Sequence, residues 1–470
     1  MELQMIRIDV DDHTTEAVPL SDRRSSLTMG LLWITMVTAF PTVLAGFQFN
    51  KEGMSLWQVL SCCAISCLML LAYAVPAAML GARSGQTYSL LSRTTFGKCG
   101  AVVVTINMLA IFVAFYGVTA LITAESLNGI YHFPVPIVVL AVCVALAMAF
   151  NNFFGFSGIA NFARFVAAPA LIMWVGYTLV KAMSCVPAAM LASPAHCSLP
   201  TALTSVSAIV IGYSVWGNEP DYWRYGKPKV VASLVPMTIA LCMGQVIFPC
   251  TGWIISKVSG ITEYGAASEF MMTYSFGGIA IVAAVVLTVA MFAVNDANLY
   301  GSINAMESLK KLPHKVSVTI LAVAGCVMTA LLSISGAAKG LEAIAALNCI
   351  LLPMPTVIML GEWLVVTRLL GGDMPFDKVV SLRDVPAIRW PAVISLLFGV
   401  AVGIMTSGLI PALEGLHVGI SSVQSWVAAF VLFVPLRVLE HRMQIAAQTQ
   451  KLELLFETVP VEGDEFEVVR

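Results

Sequence analysis

The chain has 470 residues, 59% of them hydrophobic and 11% charged, with a formal net charge of −2 and a mean hydropathy of +0.88. A soluble domain carries roughly 25% charged residues, so this composition excludes a water-facing globular surface, and the near-neutral balance offers nothing to nucleic acid. An integral membrane protein remains.

In chain order, residues 1–26 form a polar tail, acidic at Asp9, Asp11, Asp12 and Glu16. It lacks the pattern of a cleavable signal peptide, so the first span is expected to act as the insertion signal. A run of about 20 apolar residues crosses the hydrocarbon core. By that measure residues 27–440 hold about twelve spans, near 27–48, 56–80, 101–127, 134–150, 155–182, 201–217, 230–256, 277–305, 316–336, 341–370, 391–411 and 421–439. Residues 441–470 follow as a second tail. The stretch Arg437–Phe456 continues the helical period across that boundary, before the acidic stretch Glu462–Glu467.

Basic residues orient this count. With the N-terminus on the inner side, outer loops hold only Lys51, Lys181, Lys257 and Lys339, leaving 21 of the 25 basic residues inside. That asymmetry follows the positive-inside rule and predicts both termini in the cytoplasm. Cys185 and Cys197 share one outer loop; a disulfide and two free thiols are both open, the free thiols being the simpler reading.

Two spans carry breaks. Span one has Pro41 in TAFPTVLAG, where proline removes a backbone donor. Span six has Gly212 and Gly217 in IGYSVWGNEPDYWRYG, ending at Pro220. If spans one to five and six to ten form an inverted repeat, these breaks occupy corresponding positions, the signature of a midplane ligand site. Proline and glycine are also common in membrane helices for no special reason.

Span eight contains MFAVNDANLYG, with Asn295, Asp296 and Asn298 within four positions. A central Asp alone costs about 2.5–3.5 kcal/mol on insertion scales, and such residues are normally turned to a protein-lined cavity. The Asn side chains offer donors and acceptors suited to a flat heterocycle. Asp296 has two possible roles, joining helices or carrying a proton. Interhelical hydrogen bonding, about 0.6 kcal/mol per bond, is the plainer alternative for any one of the three.

On span three, Phe115 and Thr119 lie one turn apart on one face, an aromatic and a hydroxyl able to stack and orient a ring. Phe40 at the first break, with Gly212, Tyr213, Ser214 and Trp216 at the sixth, would complete an aromatic clamp. In NEPDYWRYGKPK, Asp221 and Arg224 are three apart and are expected to pair at the cytoplasmic surface, with Tyr222, Trp223 and Tyr225 near the headgroups. The six histidines fall in tails, loops or span ends, and no metal or His–carboxylate constellation is visible. No phosphate-binding loop is present to support ATP-driven pumping. A membrane-embedded enzyme using Asp296 lacks a catalytic partner, and short loops leave little for a receptor or scaffold.

Several strings in order, LLSRTTFGKCG, FYGVTAL, PDYWRYGK and VNDANLYGS, with a weaker echo in LPMPTVIMLGEWLVVTRLL, resemble the nucleobase–cation symporters of the purine–cytosine permease type over about residues 27–370. The resemblance implies an all-α membrane protein of about twelve helices, a five-plus-five inverted repeat like that of the leucine transporter, and two C-terminal helices. It implies alternating access driven by a cation gradient, with substrate between spans one, three, six and eight. Carried over by position, Asn295 and Asn298 become substrate readers, Phe115 the stacking aromatic and Thr119 the hydrogen-bonding residue beside it. Phe40 and the Tyr213–Ser214 neighbourhood supply further contacts.

The expected protein is a plasma-membrane importer of cytosine or a related purine or pyrimidine, acting as a monomer without an organic cofactor. Another planar amide, such as allantoin, a hydantoin or a thiamine-precursor pyrimidine, is the alternative cargo. One departure bears on the ion. Sodium-coupled members carry hydroxyls just before the span-eight Asn, where this chain has Ala293 and Val294. That leaves H+ and Na+ both open, with Asp296 as a proton carrier in the first case. Thr119, in place of a larger amide, would shift the preferred ring.

Overall fold

A computed structural model describes residues 12–457 apart from Ala39, 276–278, 335–343, 346, 371–375 and 418. All regular structure among the described residues is helical. Eight helices are long and apolar enough to cross a membrane singly, and the pair Ser26–Val37 and Phe40–Lys51, bent by 49°, makes a ninth. Leu199–Ser214 and Trp390–Thr406 are shorter apolar helices. The continuous stretch Ile137–Cys185 divides at a 3-10 turn, Phe150–Phe154, into two spans. With that division twelve spans follow the expected order.

Span two is Leu56–Ser84, and its start carries a capping box in which Ser55 and Gln58 satisfy each other's backbone donors. Span three belongs to Tyr88–Tyr131, kinked at Gly97, whose φ of 76° ends a short first helix. An added Cβ there would press on Pro386 O at 2.5 Å, because the connector before span eleven pairs with this kink through Lys98 N to Pro386 O and Cys99 N to Ala387 O. Span seven is Val230–Ser259, span eight Ala280–Leu309, span nine His314–Leu332, span ten Leu347–Leu370. The last helix, Ser421–Glu457, extends past its span as its periodicity suggested. Lys339 and the acidic stretch Glu462–Glu467 lie outside the described residues.

Spans approach closely where side chains are small, since in lipid packing replaces the hydrophobic drive between helices. Gly46 of span one faces Pro249 and Trp253 of span seven, and Gly252 faces Val43, so a methyl at either glycine would strike backbone. Gly325 of span nine receives the ring of Tyr116, and Gly301 of span eight receives that of Phe112. The outer faces are apolar and exposed, as at Leu68, Val103, Val180 and Val285. Cys185 and Cys197 carry free thiols.

Span six corrects the expected boundaries. Its first helix, Leu199–Ser214, stops short of 217. The chain is extended at Val215 and left-handed at Gly217 (φ 76°) before a five-residue helix, Glu219–Trp223. Residues 219–224 are fully buried. The string DYWRY therefore belongs to the second half of a broken span, not to a headgroup anchor: two carboxylates and a guanidinium are enclosed because each finds hydrogen-bond partners inside.

Candidate functional site

Both breaks free backbone groups that lipid cannot satisfy. At span six, Val215 O accepts from Asn348 Nδ2 at 2.9 Å. Trp216 N and Gly217 N both donate to Glu219 Oε1 at 3.2 Å. Tyr73 Oη donates to Glu219 Oε2 at 2.6 Å, and Gly217 O accepts from Thr356 Oγ1. At span one, Val37 O accepts from Gln245 Nε2 at 2.6 Å. Gln245 sits in a π-helical bulge, Cys242–Ile247, of span seven.

Between the breaks lies a cavity of about 60 Å3. Span one contributes Met36, Pro41 and Thr42; span three Phe112, Phe115, Thr119 and Ile122. Span six contributes Gly212, Tyr213, Val215 and Trp216; span eight Met291, Val294 and Asn298; span ten Asn348. The walls are aromatic and aliphatic with few polar groups, the usual make-up of a small-molecule site. The volume is far below the roughly 300–1,000 Å3 that engulfs a drug-sized ligand, so this is a contracted chamber. One wall is the stacked pair Phe112 and Trp216, centroids 5.8 Å apart.

Of the residues expected at a ligand face, Phe115, Thr119, Gly212, Tyr213, Trp216 and Asn298 meet around this cavity. Three do not line it. The Phe40 ring packs against Trp174 of span five, centroids 6.3 Å apart. Ser214 is buried beside the break with its hydroxyl unpartnered. Asn295 is turned away, because its Nδ2 donates to Tyr116 O at 3.2 Å and to Met148 Sδ at 3.0 Å. Its Oδ1 accepts from Asn298 Nδ2 at 3.2 Å, so Asn295 orients Asn298.

Asp296 faces the other way and joins helices. Its Oδ2 accepts from Asn151 Nδ2 at 2.8 Å, and Asn152 Nδ2 reaches its carbonyl and Oδ1 at 3.2 and 3.4 Å. Span eight is thereby tied to the turn between spans four and five.

The expected Asp221–Arg224 pair does not form. Asp221 Oδ1 accepts from Tyr88 N at 2.7 Å and Oδ2 from Asn218 Nδ2 at 2.8 Å, holding the start of the helix before Gly97. Arg224 reaches His13 O at 2.7 Å and Tyr300 Oη at 2.9 Å, meeting Asp221 only at its carbonyl. Spacing alone could not reveal these partners, which come from distant segments.

Arg224 belongs to a seal on the N-terminal face. Tyr225 stacks on Phe156 with centroids 3.8 Å apart and donates to Asp12 O. Asp12 accepts from Phe156 N, at 3.1 and 3.2 Å, where span five begins. Burial pushes the Asp12 carboxyl above its usual range, against the opposing pull of His314 and Arg224. Arg23 donates to Ala82 O and Gly226 O, clamping the tail across spans two and six. Tyr222 Oη donates to Ala297 O, linking the short helix to span eight beneath the chamber.

Sequence reasoning passed over Asn348, Glu219, Tyr73, Thr356 and Gln245. Asn348 and Gln245 carried the same signal as Asn298, an amide inside an apolar run. Glu219 was hidden within a string read as interfacial.

A chamber walled by two broken helices, with their freed backbone held from neighbouring spans, defines a secondary transporter of the broken-helix class. The sequence profile of the permeases for cytosine/purines, uracil, thiamine and allantoin matches residues 18–427, and the chain belongs to that family. It is a permease, not an enzyme. It is 23% identical over 409 residues to the cytosine permease of Escherichia coli strain K12, covering 84% of this chain and 89% of that one. It is 24% identical over 329 residues to a purine-uracil permease of Arabidopsis thaliana, covering 64% and 54%. The fold matches that of Mhp1, a nucleobase-cation-symport-1 family transporter in a closed conformation with bromovinylhydantoin bound. That match has a TM-score of 0.70 and 18% identity over 93% of this chain and 96% of that one. A Na+-coupled sialic acid symporter shares the fold at a TM-score of 0.66 and 11% identity, covering 93% of each chain.

Proposed function

We propose that this permease imports a nucleobase, cytosine or a related purine or pyrimidine, across the plasma membrane down a cation gradient. The carrying observation is the chamber between the two breaks, where Asn298 stands opposite aromatic walls. In this reading Phe115 and the span-six aromatics stack the ring, Thr119 and Asn298 address its edge, and Asn295 holds Asn298 in place. Both termini are cytoplasmic, following the basic-residue asymmetry, and the monomer is the working unit.

For the ion we favour a proton. Ala293 and Val294 bring no hydroxyls to the oxygen set that a sodium ion would need. Asp296 is then the acid we assign to carry the proton, taken up on its carboxylate when the amide donors of Asn151 and Asn152 release it. A different planar amide is the second reading of the cargo, favoured by the short Thr119 side chain, and competition by a ligand panel separates the two. Replacing Asn298 by Ala should abolish nucleobase uptake while leaving membrane expression unchanged. Uptake at the wild-type rate in that variant would remove the assignment.

A further inference from the structure

The chamber is lined by two amides, and the protein itself dictates which end of each faces the ligand. A backbone carbonyl accepts but never donates, so an amide beside one must offer its nitrogen. At span ten, Asn348 Nδ2 donates one N–H to Val215 O. Its Oδ1 is buried without a partner in a side chain only 3% exposed that lines the chamber. At span eight, Tyr116 O takes the nitrogen of Asn295, and Asn295 Oδ1 in turn takes Nδ2 of Asn298. Among the described residues no donor reaches Asn298 Oδ1. Two carbonyls, Tyr116 O and Val215 O, therefore fix both amides so that their oxygens are left without protein donors. The lining indole of Trp216 adds one unpartnered donor, Nε1.

We propose that Asn348 is a specificity-determining residue which, with Asn298, makes the chamber a two-acceptor site. The ligand class it selects is a planar ring presenting N–H groups on two separate edges, with a carbonyl or ring nitrogen left for Trp216. A buried acceptor left unmet costs its full desolvation, so rings lacking one N–H are rejected by the vacant oxygen. This inference rests on the nucleobase reading above and adds to it a donor pattern and a residue on span ten.

The test is competition against labelled substrate by a ring and its N-methylated derivatives, each methyl removing one N–H. In the wild type, methylation at one of two ring positions should weaken competition by about 5- to 150-fold, the range set by one unmet buried acceptor. In Asn348→Ala the penalty for methylation at one of those positions should collapse towards unity, while the other, read by Asn298, persists. If Asn348 only braces Val215, parent and methylated rings weaken together in N348A and their ratio stays at the wild-type value, which overturns the proposal. Should N348A fail to reach the membrane, the wild-type series decides: methylation tolerated at every N–H also overturns it. Failure of every nucleobase to compete in the wild type would strike the cargo reading instead, a distinguishable outcome.

Discussion

The two broken spans are held in different ways. At span six, Val215, Trp216 and Gly217 are secured by Asn348 and Thr356 of span ten, Tyr73 of span two and the span's own Glu219. At span one the Gln245 amide meets Val37 O, and the neighbouring Thr38 hydroxyl is buried without a partner among the described residues. A backbone fixed by several converging groups, as at span six, presents a ligand rigidly. In the proposed reading span six is the rigid presenter of the ring, its freed backbone being met from spans two and ten.

The largest effect should come from Glu219. Glu219→Ala strands two buried N–H groups and leaves the Tyr73 hydroxyl only Gly217 O at 3.3 Å, a loss of about 3 kcal/mol or more. Thermal unfolding of the purified protein should show a marked drop, with transport lost. Glu219→Gln keeps an acceptor for Trp216 and Gly217 and should recover most of the stability. Equal damage from both variants would mean that charge, not backbone satisfaction, is what Glu219 supplies.

Gly217→Ala comes next, because its φ of 76° and the Leu352 side chain and backbone leave no room for a methyl. A strained, overpacked site of this kind costs about 1–3 kcal/mol, measurable by the same unfolding assay.

Gln245→Ala should cost less, about 1–2 kcal/mol for one stranded carbonyl, and should alter uptake rate more than melting temperature. Stability loss in Q245A equal to that of E219A would break the comparison between the two spans.

The smallest effect concerns the seal. Burial raises the Asp12 carboxyl above its ordinary value of 3.8. Below that value the group is protonated whether the seal is formed or open, so it exerts no pH-dependent pull. As pH rises through the interval up to the raised value, the freed carboxyl ionises first and closure is disfavoured. Asp12→Asn cannot ionise, so its melting temperature relative to wild type should climb as the pH rises from about 4. A pH-independent difference would contradict the buried placement of Asp12.

Much of this was legible from residues alone. The span count follows from apolar runs, because a bilayer demands about 20 such residues per crossing. The breaks announce themselves through Pro41 and Gly217, and Asn298 through its cost in lipid. What stayed hidden was long-range pairing. Asp221 and Arg224 are neighbours in sequence, yet their partners, Tyr88 and His13, are 133 and 211 residues away. Asn295 and Asn298 look equivalent until Tyr116 O takes the nitrogen of the first. The same folding turned Phe40 onto Trp174 and away from the chamber.

The central claim, coupled import of a nucleobase, is tested most directly by reconstituting the protein in proteoliposomes and following labelled cytosine and purines under imposed ion gradients. The account predicts accumulation above the external concentration when a proton gradient is imposed, abolished by collapsing that gradient and absent in Asn298→Ala. Accumulation with a sodium gradient alone would overturn the ion assignment, and no nucleobase accumulation under either gradient would contradict the function itself.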